Sequence, residues 1–430
     1  MPKRTIAVAA ALIAVTTVIG LSGCSSSGAN SNKLTLSIDN SSTTTAAAKA
    51  VVKAFEKANP GTSVELEQRP QGPDGDTLVK TRLNTGDIGD VLWYNSGALL
   101  QSLNPSKNLT DLASQPWAKD VSPSWKQAVS VGTKMYGAPI GGAAGGGILY
   151  NKQMYAKLGL HVPKTWSALI DNAKKIKDAG ITPFAQTYKD SWTSQFLVLG
   201  DYYNVQAANP NFAKEWTAGK AKFATTPAAQ AGFDHLAQLH QLGLTNTDFA
   251  TATFEQGQEM LASGKVAMYP QITGVVNAFV GKYPDAKANI GFFPVPGSNA
   301  DKNGVTIWQP QSLYLPSAAK NPDLAKKFIS FAASQKGCDA YISGAGADGV
   351  SPLSTCKLPS DVPAALSDML PYIKSGKATS ALEFISPVKG AALPDLCVAT
   401  GSGLTSPSDA AKQYDADSAK TAQQLGLPGW

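Results

Sequence analysis

The sequence predicts an α/β chain folded as more than one lobe, and three features carry that expectation. At 430 residues it is roughly two to three times the length of a typical single domain. Short stretches of alternating apolar and polar residues are interleaved with stretches at helical spacing, the pattern of α/β lobes with largely parallel sheets. The run Gly141-Gly142-Ala143-Ala144-Gly145-Gly146-Gly147 then interrupts this pattern with almost no side-chain surface, so the backbone there can bend or be closely approached. Hydrophobic residues at 43% and charged residues at 16% are ordinary for a folded chain and exclude wholesale disorder and a polytopic membrane protein.

The N-terminus reads as an address. Lys3 and Arg4 precede an apolar run from Thr5 to Gly20, shorter than the roughly 20 residues a membrane span needs, and Leu21-Ser22-Gly23-Cys24 follows. This predicts a signal peptide over 1–23. Leu-Ser-Gly-Cys resembles the bacterial lipobox, which implies lipidation of Cys24 and a membrane anchor on the extracellular face, with 24–33 as a polar, flexible tether. Without Lys3 and Arg4, Lys plus Arg stands at 35 against 31 acidic residues, too small a surplus for a nucleic-acid partner.

Along the body, Leu34 to Ile38 alternates as a strand, and Ser41 to Thr45 supplies capping hydroxyls to a helix through Ala48, Val51, Val52, Phe55 and Ala58. Strands at Val64–Glu67 and Ile88–Trp93 flank a helix from Leu78 to Leu83. Beyond the glycine run, Ile148–Tyr150 restarts a strand, Asn151 caps a short helix, and Thr165–Ala179 is a helix with Trp166, Leu169, Ile170, Ala173 and Ile176 turned inward. Further expected units are a helix at 254–261, strands at 265–269, 290–293 and 307–315, a helix at 322–333 and a peripheral helix at 410–425. Cys338, Cys356 and Cys397 leave one bridge and one spare thiol in an exported chain; three pairings are open, and the shortest loop favours Cys338–Cys356.

The residues give no sign of an enzyme. Gly344–Gly349 matches GxGxxG but follows a helix rather than a strand, and phosphate-loop and GxSxG motifs are absent. His235 and His240 are five apart, off a common helical face, and the cysteines lack zinc spacing, so neither a metal nor a cofactor is expected. Only seven Glu occur, with no mark of a glycosidase carboxylate pair.

Several segments resemble one family in order: Ala54–Gly61 with Val64-Glu65; Asn84–Val91; Tyr136-Gly137-Ala138-Pro139; Leu149–Gly159 followed by Pro163-Lys164-Thr165-Trp166; Phe254 with Gly257; Lys265–Met268; and Asn321-Pro322 with Ala325 and Phe328. They are similar to the signatures of family 1 solute-binding lipoproteins of carbohydrate ABC importers, relatives of the maltodextrin-binding protein, although Gly89 stands where Pro is usual. The resemblance implies a type II periplasmic-binding-protein-like fold of two interleaved lobes joined by hinge segments. The first lobe is expected over 34–140 and 272–312 and the second over 141–271 and 313–430, with breaks near Gly141–Gly147, Gln271 and Gln311. It further implies a monomer that holds an oligosaccharide between its lobes and delivers it to an ABC permease. A secreted glycoside-acting enzyme and a cell-surface glycan receptor are the alternatives.

A neutral sugar needs flat apolar faces and forked polar groups, which points to aromatics and amides at strand ends. The candidates are Asp39 and Asn40 after the first strand, Tyr94 and Asn95 after the third with Trp93 turned to the core, Tyr269 with Gln271, Trp308 with Gln309, the loop residues Asp190 and Trp192, and Asp348 and Glu383. Arginine occurs only at Arg4, Arg69 and Arg82, which disfavours an anionic ligand.

Overall fold

The computed structural model describes residues 32–430; the expected signal peptide, Cys24 and nearly all of the tether lie outside the described residues. In chain order the strands are β1 (Lys33–Asp39), β2 (Ser63–Arg69), β3 (Val91–Tyr94), β4 (Ser130–Val131), β5 (Lys134–Met135), β6 (Gly137–Pro139), β7 (Ala144–Asn151), β8 (Thr182–Phe184), β9 (Val266–Ile272), β10 (Ile290–Phe293), β11 (Val305–Trp308), β12 (Ser312–Tyr314) and β13 (Ala378–Ser380). They form two sheets, β2-β1-β3-β12-β6 and β13-β11-β7-β9-β8 with β10 on β7, and a small β4-β5 hairpin.

The first sheet is parallel through β2, β1 and β3, and β12 runs antiparallel to both β3 and β6. Helix Ser42–Ala58 covers it because Ser41 Oγ accepts from the Thr44 N–H and Ala47, Ala48, Val51, Val52 and Phe55 form one buried stripe. Phe55 meets the Phe328 ring edge-on at 5.1 Å, which seats helix Pro322–Ala332 beside it. Helix Gln335–Ala345 lies closer still: a Cβ on Gly344 would come within 2.6 Å of the Ala46 carbonyl oxygen. The first glycine of the GxGxxG match therefore serves helix packing. Cys338 and Cys356 are joined by a disulfide, and Cys397 is buried as a free thiol.

Two sequence expectations need correction. The second sheet is not largely parallel, since β7 pairs antiparallel with β9, β10 and β11. The stretch 307–315 is not one strand either. Pro310 has no N–H to give a ladder, and the chain divides there into β11 of the second sheet and β12 of the first.

That division redraws the lobe boundaries. Residues 290–308, expected in the first lobe, pair with β7 and β13 of the second. Leu313, Tyr314, Leu324, Phe328 and Tyr341, expected in the second lobe, are buried in the first core. No crossing occurs at Gln271: β9 pairs along β7 to Ile272, and Val275 and Val276 continue into the second lobe's core. The chain crosses at 140–144 and 309–311; after Ala345 it touches the second lobe's core at Ala347, returns to the first core at Leu353, and crosses again before helix Ala364–Lys374 buries Leu366 and Met369 under the second sheet.

The second lobe is thickened by helices Trp166–Asp178, Pro227–Gln241, Leu393–Gly401 and Pro407–Gln424. Trp166 is core, as its spacing predicts, and lies flat on His235 with centroids 3.5 Å apart. Burial pushes the His235 imidazole down to about 3, from an ordinary value near 6.5. Below pH ~6.5 the unfolded chain therefore binds a proton that the folded state excludes, and stability is lost as pH falls from ~6.5 toward 3. His235→Phe keeps an aromatic face for Trp166 and removes the proton site. Urea titrations near pH 4.5 and 7.5 are expected to show the wild type losing about 2 kcal/mol more than the variant; parallel losses would mean that His235 does not drive the acid lability.

Candidate functional site

The carboxyl ends of the parallel strands β1, β2 and β3 form one edge of the first lobe, where ligands of open α/β sheets collect. Asp39 and Asn40 lie at the end of β1, Arg69 ends β2, and Tyr94 and Asn95 lie at the end of β3. Asn40 is exposed and Asn95 half-buried. Gln311 Nε2 reaches both the Asp39 carboxylate at 3.3 Å and Asn95 Oδ1 at 3.4 Å, while its Oε1 accepts from Trp93 Nε1 at 2.7 Å. One crossover residue thus braces three strand-end residues.

Tyr94 departs from expectation. It is fully buried, its hydroxyl donates to Asp76 at 2.7 Å, and the Arg69 guanidinium sits 5.1 Å over its ring. Burial pushes the Asp76 carboxyl up, partly offset by the Tyr94 hydroxyl, Arg69 and Lys389. Arg69 gives two bonds to the carbonyls of Pro70 and Trp93, yet its buried Nε has no hydrogen-bond partner among the described residues.

Across the seam the second lobe presents Trp192 on the 3-10 turn Ser191–Gln195. Its ring is held edge-on by Phe254 at 4.8 Å and Phe196 at 6.1 Å, and its Cδ1 lies 3.5 Å from where a Cβ of Gly72 would stand. Trp192 Nε1 and Gln195 Oε1 are buried without partners among the described residues. Asp190 ties this turn to the start of helix Phe254–Ala262 by accepting from the Phe254 N–H at 2.7 Å. Trp308 is half-buried over Gly146, where a Cβ would fall 2.1 Å from the indole ring, so glycine is required beneath it.

The remaining candidates bond within the protein in this structure. The Tyr269 hydroxyl is fully buried on Thr187 Oγ1 at 2.7 Å, and burial raises its pKa well beyond the ordinary phenol range. Gln271 is wholly buried beside it, and its Nε2 has no hydrogen-bond partner among the described residues. Gln309 donates to Ser380 Oγ at 3.1 Å, Glu383 is paired with Lys389, and both Asp348 oxygens are engaged by Gly142 and Tyr341. A groove of about 590 Å³ lies beside helix Phe212–Thr217, lined by Gln127, Tyr202, Gln206, Lys214 and Ile385 among others.

The sequence over residues 40–337 matches a family model described as bacterial extracellular solute-binding protein. The chain belongs to this family. The binding protein is 25% identical over 303 residues to the multiple sugar-binding protein of Streptococcus mutans, covering 68% of this chain and 69% of that one. It is 26% identical over 336 residues to the melibiose/raffinose/stachyose-binding protein MelE of Bacillus subtilis, covering 73% and 74%. Among solved structures, RafE in complex with raffinose superposes with a TM-score of 0.74 at 21% identity, covering 91% of this chain and 99% of that one. A chitin oligosaccharide binding protein gives 0.75 at 18% identity, covering 90% and 99%. These superpositions establish the two-lobe fold. Arg69, Gln195 and Gln311 join the candidates on the structure alone; the one signal in the sequence is that Arg69, one of few arginines, stands just before Pro70.

Proposed function

We propose that this chain is the capture subunit of a carbohydrate ABC importer: it closes its two lobes on a neutral oligosaccharide and presents the loaded form to a membrane permease, without chemical change to the sugar. In this reading it acts as a monomer on the extracellular face, held through lipidated Cys24. Trp192 carries the proposal. A partly buried indole whose buried Nε1 has no partner among the described residues, standing against the opposite lobe, offers an apolar face to a sugar ring and, once the lobes move, a donor to a hydroxyl. Asn40, Asn95, Arg69, Gln195 and Trp308 complete the proposed contacts, with Asp39 reached through Gln311. Ligand contacts to both lobes supply the differential affinity that closure needs.

The test is a thermal-shift screen of protein lacking residues 1–23 and Cys24 against glucose, galactose, xylose and amino-sugar oligomers. Ligand at a hundred times its Kd stabilises the fold by about 2.7 kcal/mol. No shift from any sugar overturns the proposed ligand, and release of altered product would favour a glycoside-acting enzyme. Affinity that keeps rising with chain length beyond what one cleft can hold would favour a glycan receptor. For a sugar that shifts the melt, Trp192→Ala is expected to weaken affinity at least about tenfold by calorimetry while the ligand-free melting temperature stays within a few degrees. Unchanged affinity would remove Trp192 from the site.

A further inference from the structure

We propose that Asp348 is a positioning residue, a clasp that sets the angle between the lobes by tying the crossover segments to each other and to both lobes. It rests on the proposed capture role only for its functional meaning. The first crossover contacts each of the other two. The Ile140 N–H donates to the Gln311 carbonyl at 3.1 Å, and Ala143 and Val350 exchange backbone bonds at 2.8 and 3.0 Å. Asp348 sits in the third crossover. Its Oδ1 accepts from the Gly142 N–H in the first crossover at 2.8 Å, and its Oδ2 accepts from the Tyr341 hydroxyl at 2.6 Å. Its backbone carbonyl accepts from Thr273 Oγ1 at 3.2 Å. Tyr341 belongs to the first lobe's core, with its ring 6.2 Å from Trp93, whereas Thr273 directly follows β9 in the second. One side chain and its own carbonyl therefore take bonds from a crossover and from each lobe.

The surrounding backbone is shaped to allow this. A Cβ on Gly141, whose φ is +91°, would come within 2.8 Å of the Tyr341 hydroxyl and 2.9 Å of Asp348 Oδ2. One on Gly274 would lie 2.6 Å from Asp348 Cβ. These glycines bring three segments close enough for a single carboxylate to join them. Asp348, a ligand-contact candidate from the sequence, has both carboxylate oxygens bonded at the hinge in this structure.

An ionised carboxylate accepts both side-chain bonds with charge assistance; once protonated it keeps one acceptor oxygen for Gly142 and holds Tyr341 only by reversing the second bond, and both contacts become weaker neutral ones. The ionisable groups facing Asp348 are Tyr341 and, beyond that ring, Asp39, which acts on Tyr341; Thr273 and Asn277, whose amide donates to the Ala347 carbonyl, are neutral. Burial pushes the Asp348 carboxyl up to about 6, partly offset by Tyr341 and Gly142. The clasp is therefore made above pH ~6 and loosened below it. Folding stability responds in the opposite sense: with the folded pKa above the unfolded ~3.9, the contribution of this group is present at low pH and lost as pH rises through about 6.

The experiment uses spin labels at Lys57→Cys and Lys175→Cys, both exposed and one on each lobe, with the interlobe distance distribution measured by pulsed dipolar spectroscopy without sugar. The wild type is expected to give a narrow distribution near pH 7.5 that broadens about twofold near pH 5; Asp348→Asn is expected to be broad at both, with a melting temperature near pH 7.5 equal to or above wild type. Tyr341→Phe removes one donor and is expected to fall between them. Distributions and pH response in Asp348→Asn indistinguishable from wild type overturn the clasp, as does a narrow distribution accompanied by a fall in melting temperature. Because no sugar enters the measurement, failure of the sugar screen leaves its outcome readable.

Discussion

Lys389→Met is expected to cost about 3 to 5 kcal/mol of folding free energy. Lys389 and Glu383 form an ion pair whose side chains are only 12% and 9% exposed, so removing the cation leaves a carboxylate with little water to replace it. Glu383 opens the short helix Leu382–Ile385, and the neighbouring Phe384 packs with Ala128 of the first lobe. Lys389 also acts on Asp76 across the seam, so its loss withdraws positive charge from both lobes. Urea denaturation near neutral pH measures the loss, and the double variant Glu383→Gln, Lys389→Met is expected to recover most of it, since no unpaired charge then remains. A single-variant loss below about 1 kcal/mol, typical of solvated surface pairs, would show that the pair is hydrated in solution.

What could be read from the sequence followed from locality. Helix Ser42–Ala58 was legible because its cap and its apolar stripe are written within the segment, and Trp166 was assigned to the core on spacing alone. The family signatures carried the two-lobe fold further than periodicity could. The strand expected over 307–315 failed because alternation continues on both sides of Pro310 while the partner sheet changes, and partner choice is not a local property. The surroundings of the candidate site residues were hidden for the same reason. Gln311 acquires its role from Trp93, 218 residues away, and Tyr269 looks like any strand-end aromatic until Thr187 is placed against its hydroxyl. Unpartnered polar atoms such as Arg69 Nε and Trp192 Nε1 are defined only by the packing around them.

Gly97→Ala is expected to reduce ligand affinity about 10- to 100-fold, the equivalent of 1 to 3 kcal/mol of overpacking in the closed form. Gly97 follows β3 with φ +72° and donates its N–H to the Ala128 carbonyl at 2.7 Å. A Cβ there would lie 2.3 Å from the Glu383 carbonyl oxygen and 2.8 Å from Phe384 Cδ1, both on the other lobe. The contact sits beside a crossover, since the adjacent Ser96 hydroxyl donates to the Pro310 carbonyl at 3.0 Å. A methyl group at this point wedges the lobes apart, and a small displacement close to a hinge becomes a larger one at the far lip of the cleft. The substitution also forces an L-residue into a left-handed conformation, a strain that is present whether the lobes are open or closed and so lowers stability without changing closure. Gly132→Ala separates the two effects: its φ is +59°, but nothing lies within 4 Å of its would-be Cβ. Both variants are expected to melt earlier than wild type, while only Gly97→Ala loses affinity by calorimetry. Equal affinity in the two variants would mean that the lobes do not meet at Gly97 in the loaded form.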